Sequence, residues 1–494
     1  MNGPTRERGN LWTEHSLREA FRAAGDVETQ VYRIDEEADS EVMFIYAAGL
    51  CTSGQIANTV LPQLQRMYER KGFDDHLLTR GLVGSLPFTP VEPGAAVQQL
   101  ADIVFLGHLL VFFPASGALF SMNLSNRPER SPEESSTEIS IKGPKDGFVE
   151  DITTNVALIR KRIRSSTLSC ETMVIGRRTR TQVAVLYFQD IIQPKLVEEV
   201  RARLNQLDID GLNSSAQLEG LLGDTKYSMF PLLDFTGRPD YAVTSLLAGR
   251  FVIVVDGNPF VLIGPATFPL VLKSPEDIHF SFQYVSFARL IRLISFALTL
   301  FLPGFWVALS AYHQDQFPFR LMATIAMSRQ GLPFSAQMEM FILLLLLEIF
   351  REAGVRLPSS IGQTLTVIGG LVIGDAAIRA GLVSPSVVVV GAVTAVTSVT
   401  LVNQTMATMV SIIRLGLYLV ACFLGMYGLI LGLIALLFYM SKLKSFGVPY
   451  LSPLSPPIFK DMLQALMRLP WRKMQNRPEI LHPIDPDHQK DDLS

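Results

Sequence analysis

The 494-residue chain predicts an α/β N-terminal region of two similar subdomains, followed by an α-helical multi-span membrane domain. Three observations lead there. Before about Tyr284 charge density is ordinary and apolar runs are short, whereas long apolar stretches dominate from Leu290 to Met440. A strand followed by a helix occurs twice in the first half, and each time a pair of apolar strands around a tight turn comes later. With 48% apolar and 18% charged residues, the chain has material for a soluble part and a membrane part.

Residues 1–28 read as a lead-in, with a short amphipathic helix from Thr13 to Ala24. They contain no apolar h-region, so no cleavable secretory signal is expected and the N-terminal region is placed on the cytoplasmic side. The first subdomain, 29–125, has a buried-strand pattern in EVMFIYAAGL from Glu41 to Leu50. Helical spacing follows at Ile56, Val60, Leu61 and Leu64, then paired strands in Gly107 to Asn123. Polar, proline-containing residues 126–139 make a linker.

The second subdomain, 140–283, repeats the order. Gln182 to Tyr187 is strand-like, and Pro194 to Leu207 places Leu196, Val197, Val200 and Leu204 on one helical face. Gly249 to Pro265 is again two strands, turning at Asp256-Gly257-Asn258. Asp151 to Ile163 has helical character and ends in a basic cluster, Arg160, Lys161, Arg162 and Arg164. A solvated helix end is the expected role there, with lipid headgroups or an acidic partner as the alternative. Arg177, Arg178 and Arg180 mark a solvated hairpin tip.

The membrane domain is assigned to 284–441. Leu290 to Ala311 is a strong span containing Pro303-Gly304, and Tyr312 to Ser335 is expected as a loop. Ala336 to Ala353 is apolar only between Glu339 and Glu348, so partial embedding fits it best. Glu348, Arg351 and Glu352 form a charged helix-end cluster, read as a local charge pair or as an ion-coordinating carboxylate. Ile361 to Val402 reads as two helices back to back. Gly362, Thr366, Gly370 and Gly374 recur every fourth residue, a small-residue face for close packing, and Asp375 and Arg379 follow one turn apart. Leu415 to Met440 is expected as one last span, with Ala421, Gly425, Gly428 and Gly432 on a packing face. Residues 442–494 form a basic segment, placed on the cytoplasmic side, with a disordered acidic end from Asp485. Five full spans would put the chain ends on opposite sides. Treating Ala336 to Ala353 as non-spanning gives four crossings.

Several function classes lack a signature. The net charge of −3, and basic clusters without interleaved aromatics, argue against nucleic-acid binding. Cys51, Cys170 and Cys422 are spaced for neither a disulfide framework nor a zinc site, and no cofactor or metal is implied. Phosphate-loop, HExxH and GxSxG motifs are missing, so no enzyme is indicated.

The stretches SGQIANTVLPQL, GPKDGFVEDITTNVALIRKRIR, VDGNPFVLIGPATF, REAGVRLPSSIGQTLTVIGGLVIGDAAIRAGLVSP and SFGVPYLSP resemble the A subunit of spore germination receptors, the GerA family. The sister sporulation stage V AF protein is similar through fewer segments. The resemblance implies a non-enzymatic nutrient-receptor subunit in the inner membrane of a bacterial endospore. Its implied partners are a permease-like B subunit, a lipoprotein C subunit and further copies of itself, the last forming a ligand-gated cation pore. Gly370, Gly374, Asp375 and Arg379 are then candidates for pore or gate. Asp375 either faces that pore or pairs with Arg379, two outcomes the spacing leaves open. A secondary-transporter component and a membrane scaffold for a permease-like, nutrient-binding partner are the alternative functions.

Overall fold

The computed structural model describes residues 12–35, 40–71, 73, 87–125, 138, 140–225, 227–356 and 374–488. They form two compact units, one comprising 1–226, 233–265 and 471–494, the other 227–232 and 266–470.

In the first unit each subdomain is a five-stranded antiparallel sheet. Strands β1 (Val27–Arg33), β2 (Glu41–Ala47), β3 (Phe88–Pro90), β4 (His108–Phe113) and β5 (Ala118–Asn123) lie in the order β1-β2-β4-β5-β3. Strands β6 (Leu168–Ile175), β7 (Thr181–Phe188), β8 (Asp234–Thr236), β9 (Phe251–Val255) and β10 (Val261–Gly264) lie in the order β6-β7-β9-β10-β8. The two orders are the same, so the repeated pattern in the sequence corresponds to a repeated topology. The three-residue β3 and β8, and β1, which has no buried residue, were not legible, because such strands leave no apolar run.

The apolar run of β2 has a direct cause. Val42, Phe44 and Tyr46 pack with Ile56, Val60 and Leu64 of one helical layer, while Met43, Ile45 and Ala47 pack with Leu17, Leu100, Val104 and Phe105 of the other. Successive side chains point to opposite faces and both faces are covered, which erases the usual alternation. Thr13 caps the Glu14–Ala20 helix, and Asp151 caps Ile152–Arg160 by accepting from Thr154 N–H at 2.7 Å.

The basic cluster after Asp151 is corrected at Arg160 and Arg162, whereas Lys161 and Arg164 are exposed as expected of a solvated helix end. Arg160 is fully buried and donates to both carboxylate oxygens of Asp26 at 2.7 Å, with its guanidinium 4.2 Å from the centre of the Phe105 ring. It bridges the two subdomains, beside the contact between Ala24 and Cys170. Arg162 is held by Asp146 at 2.6 Å. Helical spacing could not place Arg160 inward, because its partner lies 134 residues away. Arg177 and Arg178 do lie at an exposed turn, near Asp208 and Asp210. At the far end, Arg477 holds Asp485 at 2.7 Å and Asn476 bridges Asp487, so ordered contacts extend into the segment expected to be disordered from Asp485.

The second unit is helical. Helix Phe282–Tyr312 runs through Pro303, and the segment expected as a loop contains a helix, Phe319–Ser328. Helices Ala336–Arg356, Gly374–Arg379 and Pro385–Val399 follow, then a helical stretch Gln404–Lys442. Helix Phe282–Tyr312 and the stretch Gln404–Lys442 are apolar enough to be candidates for crossing a membrane.

Gln404–Lys442 is two helices rather than one. Gly425 has φ 61° and ψ −141°, a conformation available to glycine alone. A Cβ placed on Gly432 would stand 2.4 Å from Leu417 Cδ2, and one on Gly428 would stand 2.6 Å from Leu424 Cβ. Residues 417 and 432 would be about 22 Å apart along a straight helix, so the chain reverses at Gly425 into a helical hairpin. This corrects the single last span; Gly425, expected on a packing face, lies against Tyr312, where a Cβ would stand 3.1 Å from the ring. Glycine is required there by backbone conformation. Gly428 and Gly432 sit where the returning arm lies against the outgoing one. The break frees carbonyls of the outgoing arm, and Tyr312 OH donates to Cys422 O.

Candidate functional site

Two clusters of charged groups sit among the helices after residue 328. At the first, Arg414 on the outgoing arm of the hairpin keeps only 6% of its side chain exposed and donates to Glu348 at 3.1 Å. Glu348 also pairs with Arg351 one turn along its own helix. Arg351 in turn donates to Ser411 Oγ at 2.7 Å and to Ala407 O. Two guanidinium groups thus share one carboxylate across two helices, while Glu352 is exposed on the same turn. Arg414 is the buried member, and removing the half-exposed Glu348 would leave its charge uncompensated. The Glu348–Arg351 contact is the local pair expected from spacing. Arg414 is the member that sequence missed, since it lies 66 residues from Glu348.

The second place is near the start of the 336–356 helix. Glu339 is entirely buried, and its Oε2 accepts from Ser384 N–H at 2.9 Å, placing a carboxylate at the N-terminus of helix Pro385–Val399. Its Oε1 stands 3.6 Å from Arg329 Nε, and neither atom has a hydrogen-bond partner among the described residues. Sequence reading used Glu339 only as the edge of an apolar run. A carboxylate that caps a helix 45 residues ahead gives no local signal.

Asp375 and Arg379 pair with each other at 2.9 Å on a six-residue helix, and both side chains are exposed. Gly374 begins that helix. Gly362, Thr366 and Gly370 lie outside the described residues. Cys51, Cys170 and Cys422 are free thiols, and burial pushes the Cys51 thiol up to about 12, away from nucleophilic reactivity. Among the described residues no group of three or more His, Cys, Asp or Glu side chains is arranged to hold a metal ion.

A repeated five-stranded α/β topology, together with a helical unit holding apolar stretches long enough to cross a membrane, defines the class of protein. The chain belongs to the Bacillus/Clostridium GerA spore germination protein family, which it matches over residues 15–480. It is 39% identical to spore germination protein XA of Bacillus anthracis over 479 residues, covering 97% of each chain. It is 34% identical to the uncharacterized membrane protein YfkQ of Bacillus subtilis (strain 168), covering 88% of this chain and 84% of that one. Among solved structures it is similar to the N-terminal domain of the A subunit of the Bacillus megaterium spore germinant receptor GerK3. There the identity is 26% and the TM-score 0.39, with 54% of this chain and 99% of that chain covered.

Proposed function

We propose that this protein is the A-type subunit of a nutrient germinant receptor that triggers spore germination, acting as receptor and channel rather than as an enzyme. Its helical unit would sit by several passes in the inner membrane of the endospore, with the α/β region on the cytoplasmic side. A permease-like B subunit would take the nutrient, a lipoprotein C subunit would complete the complex, and copies of this chain would assemble into a ligand-gated cation pore. The observation that carries the reading is the near full-length correspondence with spore germination protein XA. The charged groups among apolar helices support it, since such groups face protein or water rather than lipid.

Gly370, Gly374, Asp375 and Arg379 remain the proposed pore or gate. In one copy Asp375 and Arg379 neutralise each other while staying exposed, which leaves the carboxylate accessible to a neighbouring copy. The test is monovalent cation release from spores on nutrient addition. Asp375→Ala is expected to alter that flux, and unchanged flux from correctly assembled complexes removes Asp375 from the mechanism. The purified assembly in a planar bilayer should conduct only with nutrient present. Silence in every condition overturns the channel in favour of a scaffold.

A further inference from the structure

Between helix Ser215–Leu222 and strand β8 the chain leaves the α/β unit for six residues, 227–232, which belong to the helical unit. A local turn shapes this segment. Ser228 Oγ accepts from Phe230 N–H at 3.2 Å and donates to Phe230 O at 2.7 Å, and Pro231 disfavours helix at the residue before it. Phe230 is 2% exposed, its ring centre 6.3 Å from that of Tyr439 and 5.9 Å from that of Tyr450. Met229 N–H donates to Tyr439 OH at 2.8 Å. Leu232 O accepts from Ala266 N–H at 3.2 Å and from Ser445 Oγ at 2.5 Å. Two residues on, Asp234 opens β8.

What the segment grips is the far end of the helical hairpin. The returning arm packs near its turn, where Leu429 lies against Gly304 and Gly432 against Leu417, and from there has no buried residue until Met440. An element tied at both ends, and little covered by its own chain between them, loosens when one tie is released. Phe230 supplies the apolar part of the tie at the far end, and Tyr439 OH the polar part. Both flanks of 227–232 belong to the α/β unit, so a rearrangement of that chain pulls directly on Phe230.

We propose that residues 227–232 are a latch on the returning arm, closed by Phe230 against Tyr439 and Tyr450 and drawn by the chain on either side of it. In the receptor, release of the arm is the step that admits ion flow. That use of the latch rests on the channel reading above, and the experiment separates the two. The full chain in detergent, with Cys422 replaced by Ser and the buried Cys51 and Cys170 left in place, carries spin labels at Ile412→Cys and Leu437→Cys. Pulsed dipolar spectroscopy compares it with the same chain bearing Phe230→Ala or Tyr439→Phe.

Phe230→Ala is expected to turn a short, narrow distance into a longer and broader distribution. Tyr439→Phe keeps the ring and loses only the hydroxyl that takes Met229 N–H, so it should broaden the distribution less. Where Phe230→Ala yields no folded protein, Phe230→Leu replaces it, keeping the burial and losing the ring contacts. Distributions unchanged in the Phe230 and Tyr439 variants overturn the latch. Potassium release is then followed from spores whose only germinant receptor contains this chain, in buffer alone and in a mixture of L-amino acids and glucose. Phe230→Ala spores are expected to release several-fold more potassium in buffer alone than the parent. Equal release there, beside a broadened distribution, overturns the control of ion flow by the latch. Release from the parent in the mixture no greater than from spores lacking the chain overturns the channel reading, while the spectroscopic result for the latch stands.

Discussion

Arg160 ties several parts of the α/β unit together. It satisfies Asp26, the carbonyls of Ser165 and Leu168, and the face of Phe105 at once, from a fully buried position. Arg160→Met should cost about 3–5 kcal/mol, because Asp26 would be left buried and unpaired. Thermal unfolding of the detergent-solubilised chain should record the loss, and adding Asp26→Asn should recover part of it. Glu138 is a second residue with a measurable consequence. Burial pushes its carboxyl up to about 7, helped by Asp234 and opposed by hydrogen bonds from Thr236 and Gly237. The unfolded chain releases that proton near its ordinary pKa of about 4.3, so the folded state holds more protons between the two values. Stability should therefore fall as pH rises from about 4.3 to about 7 and level off above. Glu138→Gln should flatten that part of the profile of melting temperature against pH. Neither role is visible in a helix wheel or a charge run, since both depend on partners about 100 residues away.

Among the elements, the helical hairpin departs most from the linear reading. Apolar composition marks residues 415–440 as membrane-type, and the glycine spacing marks a close approach. What composition cannot state is that the approaching backbone is the chain's own. In the hairpin, positions 412 and 437 stand opposite each other across Gly425, whereas a continuous helix would separate them by about 37 Å. Both are exposed, so spin labels at Ile412→Cys and Leu437→Cys should report a far shorter distance by pulsed dipolar spectroscopy. A distance near the straight-helix value would contradict the reversal. Gly425→Ala should destabilise the turn by about 1–3 kcal/mol, because its backbone conformation excludes a Cβ that would also lie 3.1 Å from the Tyr312 ring. The expected readout is a broadened distance distribution between those labels.

For the molecule as a whole, the helical unit brings its entry and exit together. Ala266 N–H donates to Ser445 Oγ at 3.1 Å, Phe268 N–H donates to Tyr450 O at 2.8 Å, and Phe268 stacks edge-on against Phe296. Ends that meet this closely predict an even number of passes between them. An impermeant maleimide should therefore label Phe282→Cys and Lys444→Cys from the same face of oriented vesicles. Labelling from opposite faces would refute the arrangement. The expectation of four crossings rests on charge instead, through a cytoplasmic N-terminal half and a basic C-terminal segment.

Period and composition alone determined the α/β character, the tandem repeat and the apolar second half, while the family followed from the resemblance of long contiguous segments. Each of these is written in neighbouring residues, where spacing translates directly into a helix face or a buried strand. Tertiary structure decided the shared strand order, the inward turn of Arg160, the Glu348–Arg414 pair and the reversal at Gly425. These depend on which distant groups meet once the chain is folded. A buried charge takes its meaning from its partner, and a glycine from the backbone angle it must adopt, so the same letters read locally as a solvated helix end and a packing face.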